Sequence, residues 1–311
     1  MAGRNGLFAV RKGWFCYACG VFGFLNINKP AGPTSHDVVL QVRRLIRRAG
    51  AGKRVKVGHA GTLDPFAHGV LLVCVGPATR LAEYVQRSPK RYQAEVTLAA
   101  TSTTDDTEGQ ILPRKASTPP SGQQVREVLS KFVGLIEQVP PSHSAVHVNG
   151  ERSYKLARSG VSPVLRPRQV RIESITLVSY AWPSLTIDVR CGSGTYLRAL
   201  ARDIGSRLGV GGYCSGLTRT SVGSFTIADA IGPNHVNLKT HLLSPLSALS
   251  ELGRATVGRV SARRLANGNA VDLPAPMQDG EIAVLSEDGE LLAIGQAVAG
   301  RFQPTKVFTA K

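Results

Sequence analysis

Residues 58–65 read GHAGTLDP, with one carboxylate and one imidazole set among two glycines and a proline. Glycine permits backbone angles that residues with a Cβ disfavour. Pro65 fixes its own φ and keeps Asp64 out of the helical region. The stretch therefore predicts a stiff, non-helical loop that presents Asp64. The spacing alone leaves an alternative, an Asx turn at Asp64 with His59 merely filling a pocket.

A basic run precedes this loop and an apolar run follows it. Residues 43–56 hold seven basic side chains and no acidic one, and residues 70–75, VLLVCV, are typical of a buried strand. A lone carboxylate beside a cationic surface suits chemistry on a polyanion. A solvated helix face is the alternative for the four arginines of this run. We predict that the run forms a phosphate-binding strip that comprises Arg43, Arg44, Arg47, Arg48, Lys53, Arg54 and Lys56.

Composition restricts the partner and the compartment. The 311 residues include 38 Lys+Arg against 21 Asp+Glu, a net charge of +17. Such an excess favours nucleic acid or an anionic membrane surface as partner. No apolar run reaches the length needed to cross a bilayer. The odd number of cysteines, five, fits a reducing compartment better than a disulfide framework, so we expect a cytoplasmic protein.

Periodicity and capping signals predict a mixed α+β chain of at least 200 residues followed by a β-rich tail. The predicted helices are one capped by Ser35, one from Pro77 to Gln86, one from Ser121 to about Gly134, and one over 197–208. The predicted strands cover 22–27, 70–75, 90–98, 170–180, 185–191 and 217–227. From about Thr256 short strands and turns replace this pattern.

A glycine-rich corner at residues 192–195 leads into the fourth predicted helix. The pattern places Tyr196 and Arg198 in its first turn. An ionised, buried carboxylate needs a cation or several hydrogen bonds, so Arg198 is a candidate partner of Asp64. The alternatives are an aromatic side chain packed in the core and a surface arginine.

Four motifs occur in order along the chain: KPAGPTSHD at 29–37, GHAGTLDP at 58–65, KRY at 90–92 and GTYLRALARDIG at 194–205. Together they resemble the motifs of the TruB-type tRNA pseudouridine synthases, which isomerise a uridine in the T-loop of tRNA. The resemblance covers about residues 22–232 and extends more weakly to the tail.

The resemblance implies a role for each candidate side chain. Asp64 is expected to act on the ribose as nucleophile or base, and Arg198 to pair with it. No cofactor is needed. The nucleotide must leave its stack to reach the carboxylate, and an aromatic face can then hold the base. The base pocket is expected to comprise Tyr92, Tyr196 and Leu217, with His59 filling the space left by the flipped nucleotide.

The resemblance also implies the fold and its organisation. We expect an α+β fold with a largely antiparallel central sheet, flanking helices and a small β-rich, PUA-like C-terminal domain. Residues 21–232 would form the catalytic domain with RNA-gripping insertions, 233–254 a linker and 255–311 an RNA-binding tail. Residues 1–20 have no counterpart in the family, and we expect Val21 to be the natural start.

Some features depart from the family or leave alternatives open. His143 and His147 stand where the family has tyrosine and lysine, which puts RNA affinity in doubt rather than chemistry at Asp64. A metal site formed by His59, Asp64 and His68 matches no known ligand spacing.

We expect a monomer that binds the T-arm of tRNA, without metal or membrane. The rival functions are an RNA-binding or tRNA-folding protein using the same groove, and the same chemistry on another RNA.

Overall fold

The computed structural model describes residues 21–308, except 51–54, 116–117, 145, 149, 154–155, 157–158, 160–163 and 275–276. The predicted extension at 1–20 lies outside the described residues, as do Lys53 and Arg54 of the basic run. The side chain of His147 is also outside them.

Thirteen strands of the described chain precede the tail, and nine of them form one sheet. In chain order the thirteen are β1 Gly23–Lys29, β2 Val57–His59, β3 His68–Val75, β4 Lys90–Leu98, β5 Ala100–Ser102, β6 Ile111–Pro113, β7 Gly134–Gln138, β8 His147–Val148, β9 Glu151–Arg152, β10 Arg168–Ala181, β11 Ser184–Cys191, β12 Gly212–Val222 and β13 Phe225–Thr226. The large sheet has the order β1-β3-β12-β4-β11-β10-β7, with β2 on β3 and β13 on β12. Its β12–β3 pair is parallel and its other pairs are antiparallel.

Helices flank this sheet. They are α1 Ser35–Arg48, α2 Ala82–Arg87, α3 Gly122–Ser130, α4 Leu197–Arg207 and the short α5 Leu238–His241. Strand β4 alternates strictly, with Tyr92, Ala94 and Val96 buried and the intervening residues exposed. The buried face packs against Val125 and Leu129 of α3 and the apolar side of α4. This half-buried alternation is typical of an antiparallel sheet with one wet face.

A second, five-stranded sheet forms the tail. Its order is β14-β16-β17-β18-β15. The strands are β14 Gly253–Val257, β15 Val271–Asp272, β16 Gly280–Ser286, β17 Leu291–Val298 and β18 Arg301–Val307, and α6 Arg259–Ala266 packs beside them. The tail contacts the larger sheet region through a stack of Phe22 on Phe308, with ring centroids 5.6 Å apart. The phenol of Tyr84 also donates to Glu281 Oε1 at 2.9 Å.

The α+β architecture with a largely antiparallel sheet and a β-rich tail is confirmed. Several predicted boundaries are wrong in detail. Thr34, not Ser35, caps α1: its hydroxyl accepts from Asp37 N at 3.1 Å, and Asp37 bonds back to Thr34 N at 2.9 Å. Ser35 is free for a tertiary contact because Thr34 is extended and supplies the cap.

The other differences have similar local reasons. The helix predicted from Pro77 to Gln86 is a 3₁₀ turn, Gly76–Leu81, followed by α2. The helix predicted to reach Gly134 ends at Ser130, because Gly134 adopts a φ of +109° and opens β7. The strand predicted over 217–227 instead begins at Gly212, and Gly223, with φ +54°, turns the chain into β13. Tyr196 is the N-cap residue of α4 and so precedes its first turn.

Helix length and cysteine state bear on the environment of the protein. Within the described ranges no helix is both long and apolar enough to span a membrane. Cys74, Cys191 and Cys214 are buried free thiols.

Candidate active site

Asp64 lies on the irregular loop between β2 and β3, as its glycine and proline neighbours require. Gly61 has a φ of +118°, a conformation that glycine adopts without the penalty of a Cβ. The other glycine of the motif, Gly58, lies within β2 and needs no such freedom. The conformational demand of the loop is therefore concentrated three residues before the carboxylate.

Arg219 on β12 fixes this loop through hydrogen bonds to its backbone carbonyl groups. Its side chain is buried, and its Nη1 and Nη2 donate to Thr62 O at 3.1 Å and Gly61 O at 3.2 Å. Its Nε donates to Val70 O at 2.7 Å. One planar guanidinium thus ties three carbonyl groups of the loop and of β3 together, a task that a lysine ammonium cannot reproduce with the same geometry.

The KPAGPTSHD segment also fixes the loop, through hydrogen bonds to the backbone of the residues on either side of Asp64. Ser35 Oγ donates to Leu63 O and accepts from Leu63 N, both at 2.9 Å. Lys29 Nζ donates to Pro65 O at 3.1 Å and to two carbonyl groups of its own segment at 2.8 Å. Burial lowers the pKa of Lys29 to about 8, although the charge of Asp64 opposes this shift. The residues on both sides of Asp64 are therefore anchored.

Asp64 forms an ion pair with Arg198 of α4. Arg198 Nε lies 2.9 Å from Asp64 Oδ2, and Arg198 Nη2 donates to Asp64 Oδ1 at 3.2 Å. The arginine side chain is 5% exposed and the aspartate side chain 31% exposed. The guanidinium is therefore fixed inside the protein, while the carboxylate reaches the surface of the site.

Arg198 has further partners besides Asp64. Its Nη1 donates to Asp106 Oδ2 at 3.0 Å and to Thr104 O at 3.1 Å, and its Nη2 donates to His143 O at 3.0 Å. Burial by itself would lower the pKa of Arg198, but the charges of Asp64 and Asp106 outweigh burial and raise the pKa. Asp106, with a 2% exposed side chain, acts as a second, internal counter-charge.

One turn along α4, Arg202 makes a parallel set of contacts. Its Nη1 lies 2.8 Å from Asp105 Oδ2, and its Nη2 donates to Val139 O at 2.9 Å. Burial raises the pKa of Asp105, while the nearby arginine charges oppose this shift. The two arginines of α4 thus hold the 104–106 loop and the 139–143 segment against the same helix.

A cavity of about 540 Å³ opens beside the Asp64 carboxylate. Tyr92, Tyr196 and Leu217 border it, together with Asp64 and Arg198. Five predicted site residues from four separate parts of the chain therefore meet at one concave surface. Lys90, Ser144 and Arg219 also border the cavity.

His59 occupies a different position from the other predicted residues. It lies at the end of β2 and is not among the residues that border the cavity. Its Nδ1 is buried without a hydrogen-bond partner in the described part of the chain. Burial lowers the pKa of His59, and the positive charge of Arg219 lowers it further. A neutral ring, which is sufficient for stacking, is favoured by these surroundings.

The basic run divides into two kinds of side chain. Arg44, Arg47, Arg48 and Lys56 are exposed. Arg43 is half-buried, and its Nη2 donates to Val57 O at 3.1 Å. The exposed arginines at the end of α1 can meet an anionic partner, whereas Arg43 supports β2 next to the loop.

His143 contacts the site through its main chain. Its carbonyl accepts from Arg198, and the residue borders the cavity.

The metal alternative finds no geometric support at His68. This residue is exposed, and its Nε2 lies 2.8 Å from Thr218 Oγ1. Among the described residues, no group of three His, Cys, Asp or Glu side chains could hold a metal ion.

Sequence reasoning missed three charged residues at the site: Lys90, Asp106 and Arg219. Asp106 lies in a polar stretch that reads as an ordinary acidic loop, and Arg219 lies within a predicted strand. For Arg219 the sequence offers one signal: a basic residue within an otherwise apolar or Thr-rich strand. Such a residue indicates a buried charge with a partner, because burying an unpaired charge is costly.

Comparison with known proteins adds an independent finding. Residues 47–197 match the family described as TruB family pseudouridylate synthase, N terminal domain. The chain is 39% identical over 297 residues to the tRNA pseudouridine synthase B of Thermobifida fusca (strain YX), covering 92% of this chain and 98% of that relative. It is 41% identical over 293 residues to the protein of the same name from Moorella thermoacetica (strain ATCC 39073 / JCM 9320), covering 89% and 94% respectively. Among solved structures, a chain of a Cbf5-Nop10-Gar1 complex superposes with a TM-score of 0.70 at 25% identity, covering 93% of this chain and 85% of that one.

Proposed function

This chain belongs to the TruB family of pseudouridylate synthases, and we propose that it isomerises the uridine at position 55 in the T-loop of tRNA. The observation that supports this most directly is the partly exposed Asp64 carboxylate, which is paired with a buried arginine and borders a cavity that Tyr92 and Tyr196 also border. The relatives that match over nearly their whole length are named for action on tRNA.

The reaction needs little beyond these groups. The bond from C1′ to N1 breaks, the uracil turns, C5 bonds to C1′, C5 loses its proton and N1 gains one. Atoms balance without a co-reactant or cofactor. Asp64 faces the sugar, where its carboxylate attacks C1′ or removes a sugar proton. Arg198 offsets the charge of Asp64 and keeps the carboxylate oriented, because its other donors are already engaged by Asp106 and two carbonyl groups.

The cavity is wide enough for an extruded nucleotide. Extrusion from the RNA stack costs a few kcal/mol. Aromatic side chains can stack on the freed base and offset that cost. We assign this role to Tyr92 and Tyr196, with Leu217 closing the pocket. His59 fills the place that the nucleotide leaves in the RNA. Burial lowers its pKa, which favours the neutral ring, and its Nδ1 has no hydrogen-bond partner among the described residues.

The RNA contacts extend beyond the pocket in this proposal. The basic run at 43–56 contacts the phosphate backbone, and residues 255–311 form a PUA-like RNA-binding tail in which α6 carries Arg259, Arg263 and Arg264. Residues 21–232 act as the catalytic domain and 233–254 as a linker. The protein works as a cytoplasmic monomer without metal, and its partner is the T-arm of tRNA.

The direct test is product mapping. The purified protein is incubated with a T-arm hairpin, with full-length tRNA and with an unrelated uridine-containing hairpin, and pseudouridine is mapped in each. We expect modification at one uridine of the T-loop in the first two RNAs only. Binding without modification would favour an RNA-folding function, and modification of the unrelated hairpin would favour another RNA as substrate.

The exposed arginines of α1 give a second prediction. Changing Arg44, Arg47 and Arg48 together to Gln should weaken tRNA binding. The slope of the logarithm of the association constant against the logarithm of salt concentration should become less negative by about 2, because fewer counterions are released from the RNA. Fluorescence titration over a range of salt concentrations measures the slope. A control change of two exposed basic residues, Arg126→Gln on α3 with Lys131→Gln at its C-cap, should leave the slope unaltered. An unchanged slope in the α1 variant would mean that these arginines face away from the RNA.

A further inference from the structure

Gln138 is a buried polar residue for which the proposed reaction gives no role. It is the last residue of β7, the strand at the edge of the large sheet, and its side chain is 1% exposed. A buried carboxamide is costly unless both its donor and its acceptor are satisfied. Both are satisfied here by the backbone of a single residue, Tyr196.

The contact has two points. Tyr196 N donates to Gln138 Oε1 at 2.9 Å, and Gln138 Nε2 donates to Tyr196 O at 3.1 Å. The side-chain amide therefore pairs with Tyr196 as a neighbouring strand would. Because both peptide groups of Tyr196 are fixed, the direction in which its Cβ leaves the backbone is fixed as well.

Tyr196 needs this support because of where it stands. It is the N-cap residue of α4, with φ −101° and ψ 110°, and it has no side-chain cap. It also follows the glycine-rich corner, in which Gly194 has a φ of +84°. A helix terminus beside such a corner has few internal constraints. The hydrogen bond from Leu200 N to Tyr196 O, at 3.0 Å, constrains only the helical side.

We infer that Gln138 is a positioning residue for the reaction: its carboxamide orients Tyr196 so that the phenol ring borders the base pocket. The inference rests on the proposed function, since it assigns Tyr196 to the substrate. Glutamate at position 138 keeps the acceptor but lacks the donor to Tyr196 O. Leucine retains the approximate volume and lacks both.

The test compares Gln138→Leu and Gln138→Glu with the wild-type protein on tRNA. We expect kcat to fall by about 10- to 100-fold, the range caused by misplacing a substrate-contacting group by about 1 Å, with KM changing less than about threefold. Gln169→Glu, an exposed position on the neighbouring strand β10, controls for the added charge and should leave both constants unaltered. Circular dichroism and tRNA binding show which variants are folded. A folded Gln138→Glu protein with wild-type kcat overturns the inference.

A double-mutant cycle separates positioning from general stabilisation. In a Tyr196→Leu background there is no phenol ring to orient, so Gln138→Leu should cost less than about twofold in the single-turnover rate. If the cost is the same in both backgrounds, Gln138 does not act through Tyr196. A wild-type protein that forms no pseudouridine would contradict the proposed function itself, whereas normal wild-type turnover with insensitive Gln138 variants contradicts this inference alone.

Discussion

Asp64→Asn should lower the rate of pseudouridine formation by about 10⁴-fold or more, the scale on which loss of a catalytic nucleophile or base acts. An amide cannot attack C1′ or accept a sugar proton under these conditions. The substitution changes the size of the side chain very little, and the loop remains held by Ser35, Lys29 and Arg219. We therefore expect the variant to fold and to bind tRNA normally.

Single-turnover assays with excess protein measure this effect, because they separate the chemical step from product release. Filter binding of the same tRNA measures affinity in parallel. Asp188→Asn is the matched control: it removes the same charge from an aspartate that pairs with Arg91, whose side chain is 60% exposed. The control should retain activity within about twofold, since exposed ion pairs contribute little. Persistent modification by Asp64→Asn would show that another group acts on the sugar.

Arg198→Met should be the most damaging single change for stability, with a loss of about 3–5 kcal/mol in the free energy of unfolding. The reason is the almost fully buried Asp106 carboxylate, which would lose its 3.0 Å ion pair and remain inside the protein without a counter-charge. The carbonyl groups of Thr104 and His143 would lose their donors as well.

Arg198→Lys isolates the catalytic part of the same role. It preserves the charge, but a single ammonium cannot reach Asp64, Asp106 and two carbonyl groups from one position. We expect a stable or mildly destabilised protein whose rate falls by about 10²-fold or more, as when one preorganised charged contact is lost. Urea denaturation and single-turnover kinetics give the two quantities. Arg190→Lys, at an exposed 2.6 Å pair with Glu173, serves as control. Wild-type turnover in Arg198→Lys would exclude a requirement for the guanidinium group.

The elements were predicted from the sequence where local chemistry decides them. The alternation at 90–98 matches β4 residue for residue, because each side chain of a strand lies on one face or the other. The capping box at Ser121 and Gln124 likewise begins α3. The predicted helix boundaries were wrong where two neighbouring residues give the same signal, as with Thr34 and Ser35, both of which can cap a helix. There the choice depends on Leu63, a residue distant in sequence that takes the Ser35 hydroxyl.

The candidate site was predicted only in part for a related reason. Asp64 and Arg198 each stand in or next to a short glycine-rich stretch that marks them in the sequence, whereas Tyr92 is identified only through the family resemblance. A motif cannot identify which of several acidic loop residues will be buried. Asp106 is 92 positions from Arg198 along the chain, and nothing near it in sequence distinguishes it from its neighbour Asp105.

By itself, the sequence determined that Asp64 stands on a stiff bend, that a cationic helix end precedes it and that mixed strands and helices follow, because glycine, proline, charge and periodicity act over a few residues. The tertiary structure alone decided which residues distant in sequence hold the site in place. Arg219 supports the loop across 157 residues, Gln138 reaches Tyr196 across 58, and the His143 carbonyl accepts from Arg198 across 55. Burial makes these partnerships obligatory, since a charge or amide removed from water must find its partner wherever the folded chain supplies one.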